Sequence, residues 1–190
     1  MPLLVGRHKF QCYNQMQMAT GMRRFESDVA LRDGSLVHIR AVQENDVPLI
    51  ADFLKSLSPD TVCLRFTCPI SEFESVVPAM LPGINSFALA ALREGRIVGH
   101  ASYYILGPGK AEIAVVVSDP FQGMGLGTVM LGQLAEAANE AGISVFEAII
   151  SPENNMMVNV FQKAGFPTKL RNEPGLVIIE FPTSLSPETI

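Results

Sequence analysis

Residues 115–128 read Val-Val-Val-Ser-Asp-Pro-Phe-Gln-Gly-Met-Gly-Leu-Gly-Thr. An apolar, β-branched run ends, a short polar linker turns the chain, and three alternate glycines lead into a helical pattern. Glycines at this spacing remove the Cβ atoms that would hold the backbone away from a ligand, and they accept the dihedrals of a tight turn. The helix behind them offers free N–H groups and the positive end of its dipole. Strand, glycine loop and helix together predict an α/β chain with an anion site, most simply one for phosphate.

Three phosphate loops fit this outline to different degrees. A Walker A loop needs Lys and then Ser/Thr after its last glycine, whereas Thr128 follows Gly127 directly. The Rossmann fingerprint needs its glycines directly after the strand and an acid about 20 residues on. Glu147 stands near that place, but five residues separate Val117 from Gly123 and Thr128 takes the position of the third glycine. A Q-x-x-G-x-G pattern is met in full by Gln122, Gly125 and Gly127. Taken alone, the loop also fits an ordinary flexible turn, so the flanking sequence has to decide.

At 190 residues the chain suits one domain with a substantial core. Hydrophobic residues make up 48% and charged residues 17%, which excludes a disordered chain. No apolar run is long enough to span a membrane and the N-terminus lacks a signal-peptide pattern, so a cytoplasmic protein is expected. Cys12, Cys63 and Cys68 form neither a CxxC pair nor a disulfide framework, and buried reduced thiols are expected; no metal site is read. Residues 1–24 carry four basic groups and no acid, which leaves −5 − 4 = −9 on the remainder. An acidic body argues against nucleic acid and suits a cationic partner.

The pattern predicts a strand over 36–42, a helix from about 47 capped by Asn45 or a neighbour, and a short helix opened by Ser58-Pro59. Ser71 with Glu74 suggests a capping box for a third helix. A hairpin over 87–106 turns at Glu94-Gly95, and a strand over 111–117 precedes the glycine loop. A helix then runs to about 141, a strand covers 145–150, a helix 154–164, and a last strand 176–181. Residues 1–24 read as a flexible extension and 183–190 as a flexible tail around one domain over 25–182.

The Q-x-x-G-x-G loop resembles the acetyl-CoA pyrophosphate loop of the GNAT N-acetyltransferases, and from Phe25 to Phe181 the chain is similar to a complete GNAT domain. Within that family it looks most like the bacterial protein-lysine acetyltransferases often fused to acyl-CoA synthetase-like or cyclic-nucleotide-binding domains. The matching residues are Leu31-Arg32-Asp33-Gly34 before Val37-His38-Ile39-Arg40, and Leu57-Ser58-Pro59 with Leu64-Arg65-Phe66. Ala111-Glu112-Ile113-Ala114 and Pro152-Glu153-Asn154 with Phe161 to Phe166 complete the set. The resemblance implies an α/β (α+β) GNAT fold, a mixed central sheet of about six to seven strands flanked by helices. It further implies acetyl-CoA as co-substrate, held by the backbone of Gln122, Gly123, Met124, Gly125, Leu126, Gly127 and Thr128. Val115 and Val117 would pair with the pantetheine arm, with a bulge freeing the Val117 amide for the thioester carbonyl. Asn154 would reach the CoA arm as well as cap its helix.

Acyl transfer to an amine also needs a base, and alternation puts Glu112 on the face of Ala114 and Val116, an apolar setting that makes a carboxylate more basic. By pattern alone an exposed strand glutamate is the commoner reading; the resemblance makes Glu112 the base. Many relatives carry a tyrosine where this chain has Phe161, which cannot donate a proton, so the general acid is unassigned and Tyr103 and Tyr104 are substitutes to consider. The expected acceptor is a lysine on a protein, an acyl-CoA synthetase first; a small amine and a non-catalytic acyl-CoA-binding module are the competing readings.

Overall fold

The structure, a computed structural model, describes residues 25–66 and 72–184. The expected N-terminal extension, the Ser71 capping box, Cys12, Cys68 and residues 185–190 lie outside the described residues. The strands are β1 (Ser27–Ala30), β2 (Leu36–Ala41), β3 (Ser86–Arg93), β4 (Arg96–Gly107), β5 (Lys110–Val117), β6 (Val145–Ile150), β7 (Lys169–Glu173) and β8 (Leu176–Pro182). The helices are α1 (Val47–Ser56), α2 (Pro59–Phe66), α3 (Val77–Met80), α4 (Leu126–Glu140) and α5 (Asn155–Ala164).

All eight strands form one mixed sheet in the order β1-β2-β3-β4-β5-β6-β8-β7. Every neighbouring pair is antiparallel except β5 and β6, whose parallel pairing is bridged by the crossover helix α4. The sheet exceeds the six to seven strands expected because β1 and β7 carry little pattern. β7 reads Lys-Leu-Arg-Asn-Glu and is exposed at every position, a charged edge that discourages further pairing.

Two apolar layers sandwich the sheet. Odd-numbered β5 residues join a core with Met130, Leu131 and Leu134 of α4 and Phe161 of α5. On the opposite face Val116 packs with Ile50, Phe53 and Leu54 of α1 and Met80 of α3. α4 comes so close to β4 that a Cβ on Gly99 would lie 2.9 Å from the Met130 sulfur. The start of α1 is as expected in place: of Asn45 and its neighbours, Asp46 takes the cap position. Its buried carboxylate accepts a forked pair from Arg40 at 2.7 and 2.8 Å and the Gln43 amide at 2.8 Å, which holds it below the usual carboxylate range.

Cys63 is exposed on α2 and not buried, because that helix keeps its outer face in solvent. Just after β8, Thr183 is buried, its amide donating to the Ser144 carbonyl and its hydroxyl to the Ile143 carbonyl.

His100 lies in β4 beneath α3, fully buried. Its Nε2 meets the Met80 carbonyl at 2.9 Å, and a carbonyl only accepts, so Nε2 carries the proton and Nδ1 is left without a partner. Burial, helped by the nearby Arg65 cation, pushes its pKa down to about 4. The unfolded chain therefore takes up a proton below about pH 6.5 that the folded chain refuses. Stability should fall as pH drops from about 6.5 toward 4, by roughly 3 kcal/mol in all. Urea unfolding at pH 7 and pH 5 measures this, and His100→Gln should flatten the dependence.

Candidate active site

β5 and β6 are paired only from Lys110–Val145 to Glu112–Glu147. Beyond Glu112 they part, and residues 113–117 of one strand and 148–150 of the other become walls of a cavity of about 500 Å³. Ser118 donates its amide to the Val98 carbonyl of β4, so alternation turns the N–H and C=O of Val117 and Val115 toward the gap. The register from β4 to β5 is unbroken between Ala111 and Val117. The expected bulge at Val117 is thus absent; the divergence of β6 is what frees that amide. Side chains of both faces line the gap, Glu112, Ala114 and Val116 on one side and Val115 and Val117 on the other. The cleft therefore crosses the sheet.

The glycine loop closes one mouth. Gly123 and Gly125 adopt φ of +73° and +93°, a region that side-chain-bearing residues avoid. Gly125 caps α4 with no side-chain hydrogen bond, so the amides of Leu126, Gly127 and Thr128 have no intrahelical acceptor. Leu126 contributes through its backbone only, since its side chain is buried in the core. Met124 is tied through its carbonyl, which accepts the Arg32 amide at 3.3 Å. Two cations frame the loop: Arg32, with Nε 3.8 Å from where a Cβ on Gly125 would lie, and Lys163 of α5. Both were missed in the sequence. They lie 131 positions apart (163 − 32) and only the fold brings them to one loop.

A polar knot fixes the loop to α2. Asp119 accepts the Ser58 amide at 3.0 Å, the Ser58 hydroxyl at 2.5 Å and the Thr61 hydroxyl at 2.8 Å. Burial would push its carboxyl up, but these donors outweigh it and hold the group below the usual range. Gln122 extends the knot, its side-chain amide donating to Thr61 Oγ1 and to the Val117 carbonyl, both at 3.0 Å. The result is that α2 brings Thr61, Leu64, Arg65 and Phe66 to the cavity wall.

Glu112 lines the other mouth, directly opposite Tyr104 on β4 and beside Glu147 on β6. Asn154 also reaches the cavity; its Oδ1 accepts the Met157 amide at 3.0 Å as an N-cap, which leaves its NH₂ free to face inward. Phe161 is buried against Phe181, with ring centroids 5.0 Å apart. Tyr103 is buried between Phe87 and Phe146, its phenol pushed up by loss of water. Tyr104 is exposed on the Glu112 face.

Residues 57–166 match the model of the acetyltransferase (GNAT) family. An acetyltransferase of Pseudomonas aeruginosa is 31% identical over 148 residues, which is 72% of this chain and 78% of the relative. Acetyltransferase Pat of Mycolicibacterium smegmatis is 33% identical over 165 residues, 80% of this chain but 47% of the relative, so the chain spans about half of that protein. The crystal structure of the GNAT domain of S. lividans PAT superposes with a TM-score of 0.78 at 30% identity, covering 84% of this chain and 97% of that one.

The knot at Asp119 has a measurable weight. Asp119→Ala leaves the Ser58 and Thr61 donors without an acceptor at a partly wet site, so it should cost about 1–2 kcal/mol. Urea unfolding gives that number, and hydrogen exchange should show the extra opening concentrated in α2.

Proposed function

This chain belongs to the GNAT acetyltransferase family, and we propose that it is a protein-lysine N-acetyltransferase that uses acetyl-CoA. The observation that carries the reading is the cleft across the sheet, with an amide- and cation-lined loop at one mouth and Glu112 at the other. The bare amides of residues 126–128, with Arg32 and Lys163 alongside, suit the pyrophosphate and phosphate groups of CoA. The free edge of β5 at Val115 and Val117 suits the amide-bearing pantetheine arm, which can add to it as a strand does. Asn154 offers its NH₂ to the same arm.

In this reading the Val117 amide points at the thioester carbonyl and stabilises the oxyanion formed when the amine attacks. Glu112 takes the proton from the incoming ammonium, directly or through one water. A C–N bond forms and the C–S bond breaks; CoA leaves as its thiolate, and the second proton of the attacking nitrogen passes to solvent water. Phe161 and the buried Tyr103 give the thiolate no proton. The face outside Glu112 suits a protein acceptor. Among the described residues, Tyr104, Leu106 and Ile149 are exposed there. A row of Glu112, Glu147 and Glu180 crosses three strands there; Lys110, bonded to Glu147 and Glu180 at 2.7 and 2.6 Å, and Lys169, opposite Glu180 on β7, offset it in part. A basic, lysine-bearing surface such as that of an acyl-CoA synthetase complements this charge. The relatives named Pat point the same way.

Three measurements test the reading. Glu112→Gln should lower turnover by about 10²–10⁴ while acetyl-CoA affinity by calorimetry stays unchanged, with partial recovery at high pH. Arg32→Gln and Lys163→Gln should each weaken acetyl-CoA binding about threefold at low ionic strength, less in high salt. Acetylation of a whole acyl-CoA synthetase should outrun that of free lysine or a lysine peptide, and salt should slow it. Fast, salt-insensitive acetylation of a small amine with the synthetase untouched would move the enzyme to the small-molecule branch.

A further inference from the structure

Arg65, on the last turn of α2, is the one cavity-lining cation on the Glu112 side among the described residues. Its Nε has lost its water and has no hydrogen-bond partner, and its guanidinium lies 4.7 Å from the Phe66 ring centroid. Loss of water pushes its pKa down to about 10, and the facing charge of Glu112 only partly offsets this. The residue as a whole is half-buried, and the cost lies at Nε, a donor shut off from water with no acceptor. Of the titratable groups that face it, Glu112 comes from β5 and His100 from β4. Asp119, at the far end of α2, is taken up by Ser58 and Thr61. His100 is neutral at working pH, so Arg65 is the one cation among these groups and its charge offsets the pull that Glu112 exerts on an ammonium.

We propose that Arg65 is a positioning residue for the reactive amine, a fixed cation that disfavours the ammonium form of a lysine brought up to Glu112. This rests on the reading of Glu112 as the base that meets the amine. The physics is that of like charges: a cation within about 4–6 Å shifts a neighbouring ionisable group by about one to three pH units against its charged form. For an amine, whose nucleophilic form is the neutral one, that shift raises the reactive fraction near pH 7. The glutamate row outside attracts the lysine as a cation; Arg65 makes it easier to lose the proton once inside.

The test is the pH profile of kcat for acetylation of an acyl-CoA synthetase by wild type, Arg65→Gln and Arg65→Lys, with acetyl-CoA saturating. Arg65→Gln should move the rising limb about one unit to higher pH and so slow turnover about tenfold at pH 7, without raising the acceptor KM. Arg65→Lys keeps the charge and should restore most of the limb. Acetyl-CoA affinity should stay within about twofold in both, which excludes a collapsed cleft. A uniform loss at every pH with the limb unmoved would overturn the proposal. So would an Arg65→Lys variant as impaired as Arg65→Gln, or a raised acceptor KM at constant kcat, which would make Arg65 a binding group for an acceptor anion. If wild type ignores the synthetase but acetylates a small amine, the protein-acceptor reading fails alone, and the same profile with that amine still decides Arg65.

Discussion

The parting of β5 from β6 beyond Glu112 is the constraint on which the site depends. A parallel pair that continued would have used the amides and carbonyls of Val115 and Val117 in its own ladder. Stopping the ladder leaves those groups without strand partners at the centre of a sheet, where unpaired backbone is costly. Gln122 satisfies the Val117 carbonyl from within the chain, while the amides face the cleft. The cavity is therefore a gap in hydrogen bonding as well as in packing. That explains why it suits a ligand with peptide-like groups of its own.

Holding such a gap open requires rigid walls. On one side α4 is locked to β4 by the close approach at Gly99, and an apolar layer from Met130 to Leu134 anchors it. On the other side α2 hangs from Asp119 and Gln122, so the loop at one mouth and the wall carrying Arg65 are parts of one hydrogen-bonded unit. Polar bonds suit this joint because their direction fixes the helix's angle, whereas apolar contact alone allows sliding.

Charge is sorted along the cleft. Arg32 and Lys163 stand at the glycine loop, Arg65 faces the middle from α2, and Glu112 begins the acidic row at the far mouth. A net charge of −5 conceals this ordering, because solvation weakens the outer charges more than it weakens the half-buried Arg65.

The local elements were legible in the sequence. The loop at Gln122, Gly125 and Gly127 follows from residue identity, since glycine takes without strain the positive φ found at Gly123 and Gly125. The strands of β4 and β5, the helix behind the loop, the placement of Glu112 and the exclusion of Phe161 as a proton donor follow from periodicity and side-chain chemistry. The cap of α1 was legible only to within a residue of Asn45, and the forked ion pair from Arg40 of the preceding strand settles it at Asp46. The free Val117 amide was expected from a bulge and comes instead from where β6 turns away. Arg32, Lys163, Arg65 and the Ser58–Asp119 contact carry no periodic signal. They meet across about 50 to 130 residues of chain, and such distances close only when the packed sheet has paid the entropy of bringing them together.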